Sequence, residues 1–490
     1  MTMRMNRITT ILIFLTVTMA AYSCTGRPEG ASQTDKEAAI FPDYKDVTVP
    51  ANIAPLNFSV LGEKKAVLLA GDKAIKSRRG VFRFSPRKWR KLLESCADGG
   101  AIEMTVYTKK DGKWLSYRSF NIHVSQDRID PWFSYRLIPP GYQGWQEMVI
   151  YQRNLESYSE KTILRNDLTG GNCMNCHTYR NGDPSKMVFH ARATFGGTIM
   201  VNDGKVEKLN TQTDSTISAL VYPYWHPSGE YVAFSVNKTL QAFYNHDPNR
   251  IEVYDQASDV VVYNVNTHEI AWSPLTKRED RFETFPAFSP DGKWLYFCSA
   301  QAVSPMPDKH REVRYGLYRI AFNEENMAFG DSLECVYDAP AEGYSVSFPR
   351  ISPDGRFLCF TRHGFGNFSI WHKDADLWLV ALQDGSVRPM QNVNSDDVDS
   401  FHTWSADGRW MVFSSRRDDG LYTKPYFTHV DSEGNATKPF LLPQKDPAKY
   451  YKRQMKSYNL PAFTTDKVSV SKRKLTDVLR KSAGTDVKVK

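Results

Sequence analysis

The sequence predicts a mainly β protein, a β-propeller of repeated four-stranded units preceded by a small, sandwich-like β-rich domain with one helix. Two observations carry the propeller. Four segments align without gaps: Tyr222-Pro-Tyr-Trp-His-Pro-Ser-Gly229, Phe285-Pro-Ala-Phe-Ser-Pro-Asp-Gly292, Phe348-Pro-Arg-Ile-Ser-Pro-Asp-Gly355 and Phe401-His-Thr-Trp-Ser-Ala-Asp-Gly408. Each is followed by an aromatic-rich strand, and the closing glycines stand 63, 63 and 53 residues apart. A motif recurring at that interval, with room for four short strands, is the mark of propeller blades. A third observation carries the first domain: alternating apolar and polar runs over 101–108 and 113–125 flank Lys110-Asp111-Gly112, the chemistry of a hairpin turn.

The chain opens with Arg4 and Arg7, an apolar run from Ile8 to Ala20, and Ala21-Tyr22-Ser23 before Cys24. This run is too short to span a bilayer. It resembles a bacterial lipoprotein signal, which implies a signal peptide over 1–23, acylation of Cys24 and a membrane anchor. Residues 24–39 read as a polar tether and 40–130 as the β-rich domain. In that domain Ser85 is an N-cap, with Pro86 in the first helical position. Trp89, Leu92, Leu93 and Cys96 then fall on one apolar face.

The propeller is expected over 131–465. Pro-Asp-Gly supplies its turns: proline presets φ, the aspartate bonds back to the backbone, and glycine takes positive φ. Runs 187–193, 197–202 and 205–210 read as three strands of one further unit, with Asp183-Pro184-Ser185-Lys186 as its turn. Runs 148–153 and 160–165 read as outer strands of another, which brings the count to six. Leu460-Pro-Ala-Phe-Thr-Thr-Asp466 repeats the start of the motif without its following strand, as a ring-closing strand would. The repeat resembles the PD40 (WD40-like) repeat of TolB-like propellers, a family built with six blades. The resemblance covers about two thirds of the chain and implies fold, not activity.

The net charge of +8 is concentrated at one end. Residues 449–490 hold twelve Lys and Arg against three Asp, leaving 51 basic and 52 acidic residues elsewhere. A nucleic-acid-binding body is therefore not expected, and residues 466–490 read as a basic, solvated C-terminal tail. Apart from Cys24 and the pair described next, Cys96, Cys298, Cys335 and Cys359 are scattered and make no disulfide framework.

The chemistry of the chain lies in Cys173-Met174-Asn175-Cys176-His177, a C-x-x-C-H. Two thiols at this spacing followed by an imidazole form the attachment pattern of one covalent haem c. Cys173 and Cys176 would bond the vinyl groups, and His177 would be the proximal iron ligand. A redox dithiol, half of a zinc site and a structural disulfide are the other readings of the same residues. His190, or less favourably Met187, would occupy the sixth iron position. His226 and His402 replace ordinary repeat residues and would face a central funnel.

These readings describe an exported, lipid-anchored monohaem cytochrome in the bacterial cell envelope, periplasmic or membrane-attached. It would serve electron transfer or haem-linked binding with a redox partner protein. Two alternatives stay open. A weaker resemblance to haem propellers of the hydrazine synthase alpha type implies redox chemistry on a small nitrogen compound. A TolB-like scaffold would instead bind a protein partner on the propeller face. No nucleophile–base arrangement, phosphate-cradling glycine loop or second haem motif is visible in the sequence.

Overall fold

The structure is a computed structural model that describes residues 26–96, 99–139 and 147–490. The expected signal peptide and Cys24 lie outside the described residues. The chain divides into two compact units, one of residues up to Gln126 with Pro443–Arg453, the other of Asp127–Leu442 with Gln454–Lys490.

In the first unit, the strand Ala101–Lys110 pairs antiparallel with Lys113–Arg118, Phe120–Ser125 and Ala66–Ala70. Asp111 and Gly112 both take positive φ, the two-residue turn whose twist matches the flanking strands. The alternating run expected over 113–125 is two strands rather than one, broken at Ser119 so that each pairs with a different part of Ala101–Lys110. Part of the expected tether is also folded: Ser32–Glu37 adds as a parallel strand beside Lys113–Arg118. The helix Pro86–Glu94 is capped by Ser85, whose side chain accepts from the Lys88 amide, and it buries Trp89, Leu92 and Leu93. Trp89 Nε1 donates to the Ile53 carbonyl at 3.0 Å, so its buried polar edge is satisfied. Pro443–Arg453 joins this unit through Asn57 Nδ2, which donates to Lys445 O, and an Arg83–Asp446 ion pair at 2.7 Å.

The second unit is a β-propeller. Its sheets are antiparallel meanders in which consecutive strands pair: 173–180, 183–192, 197–202 and 205–210 in one, 345–351, 357–363, 376–381 and 387–389 in another, 399–404, 410–415, 424–429 and 440–441 in a third. Strands 220–225, 231–243, 251–264 and 269–271, and then 281–288, 294–301, 315–323 and 334–337, follow the same order. The serines that open the repeat turns organise them. Ser289, Ser352 and Ser405 each donate to the aspartate two residues on and accept the amide five residues on. The sheets stack on apolar layers, such as the cluster that includes Tyr296, Leu358, Phe360 and Val380.

Two features close the propeller from the C-terminal side. Ser457–Thr464 pairs antiparallel with Trp132–Ile138, so the sheet formed early in the unit receives its innermost strand from residues more than 300 positions later. Beyond it, the segment expected to be a solvated tail is folded. The helix Lys472–Lys481 is basic on its outer face but buries Leu475 and Leu479 in the same apolar layer as Met148, Ile163 and Phe189. Two short strands then run along sheet edges, Thr485–Asp486 beside Lys205–Asn210 and Lys488–Val489 beside Glu269–Ala271. Charge count misleads here because the helix hides four-residue-spaced leucines among lysines.

The expected turn at Asp183-Pro184-Ser185-Lys186 is also displaced. Asn181 and Gly182 make the reversal with φ of 46° and 76°, and Asp183–Arg192 is already strand. Asn-Gly favours the two-residue primed turn, so the longer Pro-Asp-Gly geometry is not needed there.

Deleting residues 455–490 should abolish a cooperative melting transition, because the closing strand and its packed helix go together. Leu479→Ala alone should cost about 2–5 kcal/mol in urea unfolding, the usual cost of a cavity in a packed layer.

Candidate functional site

The site begins with a backbone feature. Among the described residues, six strands carry one non-glycine residue near φ +50°: Cys176 (55°), Tyr222 (49°), Phe285 (53°), Phe348 (54°), Phe401 (50°) and Leu460 (51°). Each lies in or beside a register shift in the strand pairing. A left-handed conformation costs an L-residue about 1–2 kcal/mol, so its recurrence at equivalent positions marks a bulge built into every repeat. The bulge turns these side chains toward one another. Tyr222 and Phe285 rings lie 4.7 Å apart, Phe285 and Phe348 4.0 Å, and Phe348 and Phe401 4.6 Å. Cys176 stands where the other repeats carry an aromatic residue or leucine, and His177 stands where they carry proline or, at 402, histidine.

The C-x-x-C-H thus forms the first part of the strand Cys173–Arg180. Cys173 and Cys176 are both buried and free thiols. The Cys176 thiol is within hydrogen-bonding reach of the Tyr222 backbone in the following sheet, and burial raises its pKa. His177 Nε2 lies 3.1 Å from Ser134 Oγ in the preceding sheet, while buried Nδ1 has no hydrogen-bond partner among the described residues. Burial, reinforced by Arg136, pushes the His177 pKa down to about 3. Its imidazole is therefore neutral at physiological pH. Cys176 and His177 face neighbouring strands on either side of their own.

His190 pairs in register with Asn175, and its Nδ1 lies 3.1 Å from Thr198 Oγ1. Burial pushes its pKa to about 3 as well. Met187 is fully buried in the apolar layer that holds Cys173 and Tyr179. Their odd spacing puts His190 and Met187 on opposite faces of one strand. Met148 enters the same layer, its sulfur 3.2 Å from the Met174 amide, a neighbour that sequence spacing does not show. His226 does not face a funnel. It replaces the turn serine: Nδ1 lies 2.7 Å from Ser228 Oγ and Nε2 3.1 Å from the Gly292 carbonyl. His402 does line the central cavity, with Nε2 3.0 Å from the Cys359 carbonyl and burial holding its pKa at about 3. Among the described residues, no three His, Cys, Asp or Glu side chains gather as a metal site.

Arg136, which sequence reading passes over, is central. It sits in Trp132–Ile138, is only 8% exposed, and lies close enough to Cys173, Cys176 and His177 to affect each electrostatically. Its guanidinium donates to Met174 O at 3.1 Å, to Asn459 Oδ1 at 2.7 Å and to Asn175 Oδ1, and its Nε has no partner among the described residues. The signal available in the sequence was an arginine inside an otherwise aromatic and apolar strand.

A cavity of about 250 Å³ lies against Cys176 and His177 and is bounded by Tyr222, Tyr224, Phe348, Phe401, Trp404 and Arg350, among others. Of the C-x-x-C-H residues, Cys176 and His177 border this cavity, offering a thiol and a neutral imidazole, while Cys173 packs in the apolar layer with Met174, Tyr179 and Met187.

No family model matches the chain. It is 22% identical over 178 residues to Dipeptidyl-peptidase 5 of Porphyromonas gingivalis, covering 36% of this chain. The chain spans about a fifth (21%) of the length of that curated relative. Among solved structures, an oligogalacturonate lyase in complex with manganese is similar over 63% of this chain and 72% of its own, at 10% identity and a TM-score of 0.36. Dipeptidyl peptidase 4 of Porphyromonas gingivalis is similar over 70% of this chain and 52% of its own, at 11% identity and a TM-score of 0.32.

The three neutral histidines set an acid limit. Their folded pKa values near 3 lie below the unfolded value of about 6.5, so each binds a proton only on unfolding. Their contribution to stability is complete above about pH 6.5 and is lost as pH drops toward 3. His402→Gln removes one such proton and should flatten the fall in unfolding free energy by about 1.4 kcal/mol per pH unit between pH 6 and 4, read from urea curves.

Proposed function

We propose that the chain is a six-bladed propeller of the cell envelope, tethered through Cys24, that carries one covalent haem c and exchanges electrons with a partner protein. The observation that carries this reading is Cys173-x-x-Cys176-His177 with both thiols free and the imidazole held neutral. Cys173 and Cys176 would hold the group by thioether bonds and His177 would supply a nitrogen to the iron. When bound, the haem supplies a one-electron couple whose potential depends on its axial ligands and the polarity around it. The chain's own part is to bury the site, keep His177 uncharged and place Arg136 beside it. The blade count rests on the repeated bulge, with Trp132–Ile138 and Ser457–Thr464 sharing one blade. His190 or Met187 remains the proposed sixth ligand.

The test is an absorption spectrum after expression alongside a haem-attachment system. A reduced α-band that survives denaturation is expected, with its loss from the denatured chain in Cys173→Ala/Cys176→Ala. His177→Ala should keep the haem attached but shift the spectrum. A colourless wild-type protein would overturn the reading. Addition of carbon monoxide to the reduced protein then distinguishes an open iron from one closed by His190 or Met187.

The 178-residue similarity to a dipeptidyl peptidase favours a second reading, a propeller that binds peptides. It predicts peptide binding with no covalent chromophore.

A further inference from the structure

We infer that the axial cavity is a binding site for a small carboxylate, received by Arg350. The inference stands on the lining of the cavity and does not require a haem. Among the described residues, no Asp or Glu borders the cavity, and Arg350 is the one charged side chain that does. The histidines on its wall, His177 and His402, are held neutral by burial. Arg350 donates to its neighbouring Pro349 carbonyl at 2.8 Å, and its guanidinium lies 5.1 Å from the centre of the Tyr224 ring. Neither contact is with an anion. Among the described residues, Arg136 likewise makes its hydrogen bonds to neutral oxygens and keeps Nε unpaired. Both guanidiniums act electrostatically on the same thiol, Cys176, so their positive potentials overlap there.

Taking a guanidinium out of water without an anionic partner is costly, and proteins rarely leave one so. Elsewhere Arg417 pairs with Asp399 at 2.6 Å and Lys424 with Asp418 and Asp419 at 3.1 and 2.9 Å, while buried Arg416 donates to the Ile370 and Leu421 carbonyls and lies over the Trp371 ring rather than bordering the axial cavity. Arg350 is the one a ligand in the cavity would complete. A guanidinium presents a planar fork that matches a carboxylate. The aromatic walls, Tyr222, Tyr224, Phe348, Phe401 and Trp404, suit an apolar body attached to it rather than a heavily hydrated phosphate. At about 250 Å³ the space falls below the roughly 300–1,000 Å³ of drug-sized pockets, so the guest is small. Two sources share this chemistry: a free monocarboxylic acid, or a propionate of the haem proposed above.

The test is calorimetric titration with benzoate and with its neutral analogue benzamide. In protein made without haem attachment, benzoate should bind at least tenfold more tightly than benzamide, and Arg350→Gln should reduce it to the benzamide level. If Arg350→Gln does not fold, the benzoate–benzamide ratio on the unsubstituted chain decides alone. Equal binding of the two, or no benzoate binding, overturns the inference. The same titration on haem-loaded protein identifies the source: retained benzoate binding indicates a free acid, and its loss indicates a propionate already in place. Failure of the haem reading is visible separately, as a missing α-band.

Discussion

The propeller depends on one backbone event repeated around its axis. In each inner strand a single residue enters the left-handed region, the pairing slips, and a side chain that would have lain between sheets turns to the centre. The aromatic contacts from Tyr222 through Phe285 and Phe348 to Phe401 offset the strain of those residues and fill the middle of the ring. Closure by Ser457–Thr464 belongs to the same scheme, since Leu460 brings the bulge to the one sheet that lacks an early inner strand.

This scheme explains where the reactive residues sit. Cys176 occupies an axial position and His177 the position after it, as Phe401 and His402 do elsewhere. The chemistry is therefore a substitution within the repeat rather than an insertion beside it. Replacing a large aromatic ring by a thiol also removes volume at the axis, and the cavity opens beside that position. Buried Arg136 and half-buried Arg350 then bring positive charge to this region, and burial there keeps His177 and His402 neutral.

Local signals were legible wherever a few neighbouring residues decide the conformation. Ser85-Pro86 starts a helix, Asp111-Gly112 turns a hairpin, and Ser-Pro-Asp-Gly turns the repeats because serine, aspartate and glycine satisfy their own backbone. The displaced turn at Asn181-Gly182 shows the limit: two acceptable turn sequences stood side by side, and strand register chose between them. The strand Trp132–Ile138 and the helix Lys472–Lys481 were illegible for another reason. One hides its role because its partners are more than 300 residues away, the other because basic side chains outnumber the leucines that dock it.

The sequence by itself determined the repeat, the β class and the presence of two thiols and an imidazole at haem-attachment spacing, because each is a matter of residue type and near neighbours. Only the tertiary structure decided that Cys176 lies on the axis, that His177 is neutral against Ser134, and that Arg136 and Arg350, far apart in sequence, both act on Cys176. Those facts follow from closing the ring. It brings strands distant in sequence within a few ångströms and excludes the water that would otherwise solvate the charges.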